Sequence, residues 1–455
     1  MDFPLEFSDR SPGGIAATIA RGVSAGDLAP GDRLPTVRSL ATAIGVSPAT
    51  ISAAWQALGR AGLIESRGRA GSFVRERRRD WLTPRMRGLA GHGETLRLDL
   101  SRGTPDPALL PPLGPALGRV SMRAETGSYQ ELPVMPELAE VLADSWPSAA
   151  GSITVVDGAL DGISRTLEEI LTFGDRVAIE SPGFPPFYDL LDALGADAVP
   201  MAVDEHGVLP GALSRALSAG VRAVLLQPRA HNPTGASMTE ERARELARVL
   251  DTHRDGADVL VVEDDHSGSI STAPDVSLGR WLPERVIHVR SFSKSHGPDL
   301  RIAALGGPSA VIDRIVARRM LGPGWTSRML QRILFDLLTD AAAAAQVTLA
   351  RDTYAERQRA LVGALAAEGI ALPQPDGINL WLPVVSERAA IVQLAADEIR
   401  VAPGSPFLGP GGAEGAPEFV RVTVGALDGD APQVARALAT AAAHTAVPVF
   451  ALGGR

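Results

Sequence analysis

Five short apolar runs, separated by stretches of helical character, constrain the fold of this 455-residue chain most strongly. They cover residues 153–156, 176–179, 223–226, 259–262 and 286–289. Continuously apolar strands of this length are typical of parallel sheets that are covered by helices on both faces. The pattern therefore predicts an α/β domain whose ligands bind at the carboxyl ends of the strands.

Composition limits the class of protein. With 45% hydrophobic and 21% charged residues, the chain resembles a globular protein, and its length predicts two or three domains. No apolar run reaches the roughly 18 residues of a membrane span, and no secretory signal is visible at the N-terminus. Because the chain has no cysteine, disulfides and thiolate metal sites are excluded. We expect a cytoplasmic protein with no membrane partner and no metal site.

The N-terminal part differs from the rest in charge. Residues 1–90 contain thirteen arginines and eight acidic residues, a net charge of +5, whereas the whole chain carries −9. A positive segment of this kind suits a polyanionic partner.

The same segment has the pattern of a helix-turn-helix. A short helix ends before Gly45, which can adopt the left-handed conformation of a turn, and Ser47 and Pro48 suit the start of a second helix. Two strand-like segments then flank the glycine-containing tip 67–71, which predicts a wing that carries arginines. Double-stranded DNA is the expected partner. A small helical domain that does not bind DNA is the alternative.

Residues 15–75 resemble the winged-helix domain of the GntR superfamily, through Leu34-Pro35-Thr36, Gly45-Val46-Ser47 and Gly62-Leu63-Ile64. This resemblance implies DNA contacts from six residues: Arg38, Ser47, Thr50, Ser52, Arg67 and Gly68. Pro48 and Ser52 stand where many relatives carry arginine, so base recognition is expected to depend more on the wing. We assign residues 1–75 to this domain. Residues 76–97, charged and rich in glycine without apolar periodicity, are predicted to be a linker.

Lysine chemistry points to a cofactor in the remaining part, residues 98–455. Lys294 is the only lysine among 44 basic residues, and arginine cannot replace lysine in an imine. The other chemically suggestive groups follow the predicted strands: Gly158 opens a helix suited to a phosphate, Asn232 follows the third run and Asp264 the fourth. Together they describe a pyridoxal phosphate (PLP) site. Taken singly, each group also has a structural explanation as a turn or a cap.

Residues from about 98 to 450 resemble fold type I aminotransferases of class I and II. The resemblance implies that Lys294 forms the Schiff base with PLP, that Asp264 pairs with the pyridine nitrogen, and that Arg421 binds a substrate or effector carboxylate. It implies further cofactor contacts from Tyr129, Gly158, Ala159, Leu160, Phe184, Asn232, His266, Ser291, Ser293 and Arg301. In this fold the tyrosine reaches the phosphate of the neighbouring subunit, which implies a homodimer. His266 departs from the tyrosine usual in relatives, which would alter the proton affinity at that position.

The order of winged helix, linker and aminotransferase-like domain resembles the MocR family of bacterial transcription regulators. This implies a large subdomain at about 98–345, a small subdomain at about 346–455, and a dimer that responds to PLP or to an amino-acid or amine effector. The prediction is a PLP-responsive regulator. A working aminotransferase with an autoregulatory DNA-binding domain is the alternative, and a binding module without cofactor chemistry is a third possibility. Turnover with a keto acid separates the first two.

Overall fold

A computed structural model describes residue 5 and residues 7–25, 27–60, 63–75, 82–89, 97–121, 128, 130–409 and 417–443. Three groups of elements lie within these ranges: an N-terminal helical unit with a two-stranded hairpin, a large eight-stranded sheet and a small four-stranded sheet.

The N-terminal unit is a winged helix-turn-helix. It contains α1 (Pro12–Ala25), α2 (Val37–Ile44), α3 (Pro48–Arg60), β1 (Ile64–Ser66) and β2 (Ser72–Val74). Gly45 caps α2 with φ 69°, as the turn predicted, and the backbone N–H of Thr50 donates to the Ser47 hydroxyl at 3.1 Å, which caps α3. The two strands pair antiparallel, and the apolar face of α3 is buried in a core that this unit forms by itself. The predicted winged fold is confirmed.

A short helix follows within the segment that the sequence predicts to be a linker. It is α4 (Pro84–Leu89), and it packs against the large and the small sheet units. The described part of this segment is therefore not a plain spacer, because its large apolar residues Leu82, Met86 and Leu89 are partly buried against other elements.

The large unit begins with α5 (Gly114–Ser121) and α6 (Pro136–Asp144), which follow β3 (Leu98–Leu100) in the chain. Its further elements are β4 (Ser152–Val156), α7 (Ala159–Ile170), β5 (Arg176–Ser181), α8 (Pro185–Leu194), β6 (Asp197–Asp204), β7 (Gly207–Val208), α9 (Pro210–Ser218), β8 (Ala223–Leu226), α10 (Glu240–Thr252), β9 (Leu260–Asp265), β10 (Val286–Ser291), β11 (Ala303–Gly307), α11 (Ser309–Met320) and α12 (Arg328–Thr339).

The strands of the large sheet are ordered β4-β11-β10-β9-β8-β5-β6-β7. All five predicted runs are strands of it, and β10, β9, β8, β5 and β6 pair in parallel. The strand β11 is antiparallel to both of its neighbours, β10 and β4, and β7 is antiparallel to β6. Helices cover both faces with separate apolar cores, which explains why these strands are apolar throughout. The predicted α/β fold is confirmed.

The small unit contains α13 (Ala341–Ala367), β12 (Asn379–Val384), α14 (Glu387–Ala396), β13 (Ile399–Pro403), β14 (Glu418–Thr423) and α15 (Ala431–Ala442). Its sheet order is β12-β14-β13-β3. The strand β3 precedes the large unit in the chain yet pairs in parallel with β13, with Leu98 opposite Ile399. The small sheet is thus completed by residues from the start of the segment predicted as the large subdomain.

No single helix in the described part of the chain is long and apolar enough to cross a membrane. The pair Arg328–Thr339 and Ala341–Ala367, bent by 76° at its break, meets that test only when its two helices are taken together, by length and composition.

Candidate functional site

The carboxyl ends of β8, β9 and β10 meet at one edge of the large sheet, facing the small sheet. A cavity of about 550 Å³ opens there. Its walls come from both sheet units and from α4: Leu82, Met86, Leu89, Asp99, Ser101, Arg102, Gly103, Thr104, Phe184, Gln227, Asn232, His266, Lys294, Arg400 and Arg421. Five residues that the resemblance assigns to the cofactor or effector site are therefore brought to one cavity: Phe184, Asn232, His266, Lys294 and Arg421.

Lys294 follows β10 and points into this cavity. Its Nζ donates to the carbonyl of Gly103 at 2.7 Å. Burial, with a further contribution from the positive charge of Arg421, lowers the pKa of Lys294 to about 8. An appreciable fraction of the amine is thus neutral near physiological pH, and the neutral amine is the form that attacks a carbonyl carbon.

Asp264 lies at the end of β9 with one oxygen bound and the other free of hydrogen bonds. Gln227 Nε2 donates to Oδ2 at 2.8 Å, whereas the buried Oδ1 has no hydrogen-bond partner among the described residues. Burial raises the pKa of Asp264 to about 7. A buried acceptor without a donor is costly, so a ligand that offers an N–H group, such as a protonated pyridine, fits this position.

Gln227 organises the site and was missed from the sequence. Besides binding Asp264, its Oε1 accepts from the backbone N–H of Asn232 at 2.8 Å, and its own N–H donates to buried Glu180 at 2.8 Å. One side chain therefore sets the positions of two predicted cofactor residues. The available signal was its place: a polar residue directly after the buried strand β8.

Arg421 on β14 is a buried cation without an acidic partner in the described structure. It donates to Asn232 Oδ1 at 3.2 Å and to the carbonyl of Ser101, and it lies 5.0 Å from the ring centroid of Phe407. Burial lowers its pKa to about 10. An anionic group in the cavity would compensate this charge, which is the chemistry of carboxylate binding.

The residues predicted to hold a phosphate lie around Gly158, at the start of α7. Gly158 has φ 107°, and a Cβ there would lie 2.7 Å from an Arg301 guanidinium nitrogen. Ala159 and Leu160 form the first turn, whose free N–H groups favour an anion. Ser291 is buried and Ser293 half-buried, and the N–H of Ser293 donates to the Ser291 hydroxyl at 3.3 Å. This set fits a phosphate, although its members are not among the cavity-lining residues named above. Tyr129 lies outside the described residues.

His266 lines the cavity as a neutral imidazole. Burial, with a smaller contribution from Lys294, lowers its pKa to about 4. Its Nε2 lies 2.9 Å from the Ala230 carbonyl, so that nitrogen carries the proton and donates it to the backbone. In this arrangement Nδ1, 3.4 Å from the Ser267 hydroxyl, has no proton to give to a cofactor oxygen.

A buried network of charged side chains lies next to the carboxyl ends of β9 and β10. Asp265, next to Asp264, accepts two hydrogen bonds from Arg229, at 2.6 and 3.1 Å. Arg290 reaches Asp275 at 3.2 Å. Asp265, Asp275 and His288 lie close enough together to hold a cation, but the two guanidinium groups already neutralise the carboxylates.

The residues predicted to contact DNA lie on the winged unit and differ in exposure and in the contacts that their side chains make. Arg38 and Ser47 are exposed, Thr50 and Ser52 are half-buried, and the Ser47 hydroxyl lies 2.8 Å from that of Thr50. Arg67 pairs with Glu65 and lies 4.8 Å from the ring centroid of Phe73, so it is held against the wing. Gly68 forms the tip of the wing with φ 57°.

Comparison with known proteins agrees with both units. Residues 13–74 match the family described as bacterial regulatory proteins, gntR family, and residues 98–439 match aminotransferase class I and II. The vitamin B6 salvage pathway transcriptional repressor PtsJ of Salmonella typhimurium is 36% identical over 91% of this chain and 94% of its own length. The HTH-type transcriptional regulator TauR of Rhodobacter capsulatus is 28% identical over 90% of this chain and 93% of its own length.

Among solved structures, the α-aminoadipate aminotransferase LysN of Thermus thermophilus, in complex with N-(5'-phosphopyridoxyl)-L-leucine, superimposes with a TM-score of 0.67. The match has 22% sequence identity and covers 76% of this chain and 91% of LysN. PLP is the cofactor of this aminotransferase class. The chain belongs to the MocR-type transcription regulators, in which a GntR-family DNA-binding domain is joined to an aminotransferase class I and II domain.

Proposed function

We propose that this regulator senses PLP, alone or together with an amino acid or amine, and changes its affinity for operator DNA in response. The observation that carries the proposal is the cavity that Lys294, of lowered pKa, shares with the buried guanidinium of Arg421, which has no acidic partner among the described residues. Residues 1–75 would bind DNA in the cytoplasm, and residues 98–455 would bind the ligands, with 76–97 between them. The name of PtsJ, a repressor of vitamin B6 salvage, supports a link to this vitamin.

The cofactor supplies an aldehyde that condenses with amines and a ring that withdraws electrons. Lys294 would supply the amine, and Asp264 would hold the protonated ring nitrogen with its free Oδ1. Asn232 accepts from Arg421 through Oδ1, which leaves its Nδ2 to donate to the ring oxygen. Phe184 would stack on the ring. The phosphate would lie among Gly158, Ala159, Leu160, Ser291, Ser293 and Arg301, with Tyr129 a further expected contact.

A homodimer is part of the proposal. Several large apolar side chains are exposed on the large unit, near Leu132 and near residues 321–329. These two segments are in contact, because Arg328 donates to the Leu132 carbonyl at 2.5 Å. Leu321 is 92% exposed, Leu132 68% and Met329 64%. A second copy that covered this face would bury apolar surface now in contact with water, which favours association.

The test is fluorescence anisotropy of the purified protein on the DNA upstream of its own gene, with and without PLP, at fixed salt. We expect binding that is tighter than to random DNA and that changes with PLP. The variant Lys294→Ala should keep DNA binding and lose the change. Equal affinity for both DNA sequences in both states would contradict the proposal.

Aminotransferase activity is the second candidate function. Lys294, Asp264 and Arg421 are all present, and two of them line one cavity. Steady amino transfer from an amino acid to a keto acid by the wild type, absent in Lys294→Ala, would favour it. A single exchange that stops after one equivalent of amino acid would support the regulator without turnover.

A further inference from the structure

We propose that α4 selects effectors with an apolar side chain and transmits their binding to the winged helix. This inference rests on the proposed sensing function and names the part of the site that determines which effector is accepted. It concerns the segment between residues 74 and 98, where one matched domain ends and the next begins.

One face of the α4 segment forms a wall of the cofactor cavity. Leu82, Met86 and Leu89 line the same cavity as Lys294 and Arg421. Met86 and Leu89 are three residues apart in α4 and so lie on one side of the helix, and Leu82 lies two residues before its start. A segment that belongs neither to the DNA-binding unit nor to the large sheet thus contributes only apolar surface to the site.

The remaining walls leave this surface for the effector side chain. A carboxylate at Arg421 and an amine directed toward Lys294 fix two substituents of an α-amino acid. The charged groups Arg102 and Arg400 also line the cavity, and both share the single carboxylate of Asp99, at 2.8 and 3.8 Å. The apolar wall gains from contact with an apolar ligand group, because its residues are only partly buried.

Arg85 fastens α4 to the large unit. Its backbone N–H donates to Asp189 at 3.3 Å, its guanidinium reaches Asp189 and Asp192 at 3.2 Å each, and it lies 5.0 Å from the ring centroid of Tyr188. All three partners are on α8, the helix that begins directly after Phe184. The anchor of α4 is thus the helix whose N-cap residue lines the cavity.

The position of α4 in the chain connects the cavity to the DNA-binding unit. It lies between β2 of the wing and β3 of the small sheet, and it also packs against β13. A ligand that contacts Met86 and favours one position of α4 would favour one placement of the winged unit. Such coupling requires different ligand affinities in the two arrangements, and the wall residues supply that difference.

The selectivity test uses full-length protein loaded with PLP, titrated with leucine or aspartate and followed by the visible absorption of the bound cofactor. We expect leucine to bind roughly tenfold more tightly than aspartate, and Met86→Ala or Leu89→Ala to weaken leucine binding roughly fivefold without affecting aspartate. Val392→Ala, at an exposed apolar residue on α14, is the control. Equal affinities for both amino acids in the wild type would overturn the selectivity.

The coupling test measures DNA anisotropy on the same samples. In Arg85→Ala we expect leucine to bind up to roughly fivefold more weakly, because α4 loses its anchor, and at saturation no longer to change the affinity for DNA. Arg254→Ala, at an 85% exposed arginine, should respond as wild type does. Arg85→Lys should recover part of the response if Arg85→Ala is poorly folded. A wild type that never responds to PLP or to amino acids removes the proposed function. A normal response in Arg85→Ala and Arg85→Lys removes only the role of α4.

Discussion

The guanidinium of Arg421 lies 3.2 Å from the amide oxygen of Asn232, so the residue expected to bind an effector carboxylate is hydrogen-bonded to one expected to bind the cofactor ring. Arg421 comes from the small sheet and Asn232 from the loop after β8 of the large sheet. A carboxylate that binds Arg421 would therefore alter a contact between the two units. Such binding would give an effector a direct way to change the arrangement of the two units.

Removal of Arg421 should separate cofactor binding from the effector response. In Arg421→Ala we expect PLP to bind to Lys294, while the change in DNA affinity caused by an amino acid is lost, because the charge that holds the carboxylate is gone. Absorption spectroscopy reports the first and DNA anisotropy the second. An unchanged response to amino acids would exclude this role of Arg421.

Loading of Lys294 should depend on pH around its lowered pKa. Below about pH 8 the amine is increasingly protonated, and the rate of reaction with PLP should fall roughly tenfold per pH unit; above it, the rate should level off. Stopped-flow absorption between roughly pH 6 and 9.5, a range on either side of that pKa, measures this profile. Because Arg421 contributes to the lowered pKa, Arg421→Ala should move the inflection to higher pH. An inflection near the ordinary lysine pKa in the wild type would contradict the effect of burial.

The conformation and surroundings of Gly158 predict a selective loss of phosphate binding. Gly158→Ala combines a strained φ of 107° with a Cβ 2.7 Å from the Arg301 guanidinium. We expect a destabilisation of about 1–3 kcal/mol and a lower affinity for PLP. Gly220→Ala is the matched control, with φ 74° and no atom within 4 Å of the added Cβ. Equal PLP affinity in the two variants would argue against a phosphate at this position.

We expect Gln227 to affect PLP affinity through both of its side-chain partners, Asp264 and Asn232. Gln227→Leu leaves Asp264 without a donor and frees the loop N–H of Asn232. An unsatisfied buried group costs about 1–3 kcal/mol, which would correspond to a loss of PLP affinity of roughly five- to 150-fold. Equilibrium titration with PLP measures the loss, and Gln227→Glu, which keeps an oxygen for Asn232 but not the amide donor, separates the two effects.

We expect Arg38, an exposed residue of the winged unit, to contribute to DNA affinity through contact with a phosphate. Arg38→Ala should weaken binding to all DNA sequences and reduce the slope of log affinity against log salt by about 1, as for one lost phosphate contact.

Arg67 is bound to Glu65, so Glu65→Ala should release the Arg67 side chain and strengthen non-specific DNA binding. Anisotropy at several salt concentrations distinguishes these outcomes, with Arg254→Ala as the control.

The winged helix, the parallel strands and the nature of the cofactor chemistry could all be predicted from the amino-acid sequence. Short, continuously apolar runs between helical stretches indicate buried parallel strands, and the single lysine, Lys294, favours imine chemistry because arginine cannot provide it. The turn at Gly45 could also be predicted, since few residues other than glycine adopt its left-handed conformation.

The surroundings of these residues became visible with the three-dimensional arrangement of the chain. The pairing of β3 with β13, the hydrogen bond from Gln227 to Asp264 and the placement of α4 against the cavity join residues that are far apart in the chain. The spacing of Leu82, Met86 and Leu89 carries too few residues to show periodicity, and their partial burial depends on a surface built by other elements. Likewise, His266 could be placed at the site from its position after β9. Only the structure shows the Ala230 carbonyl beside its Nε2, which places the imidazole proton on that nitrogen.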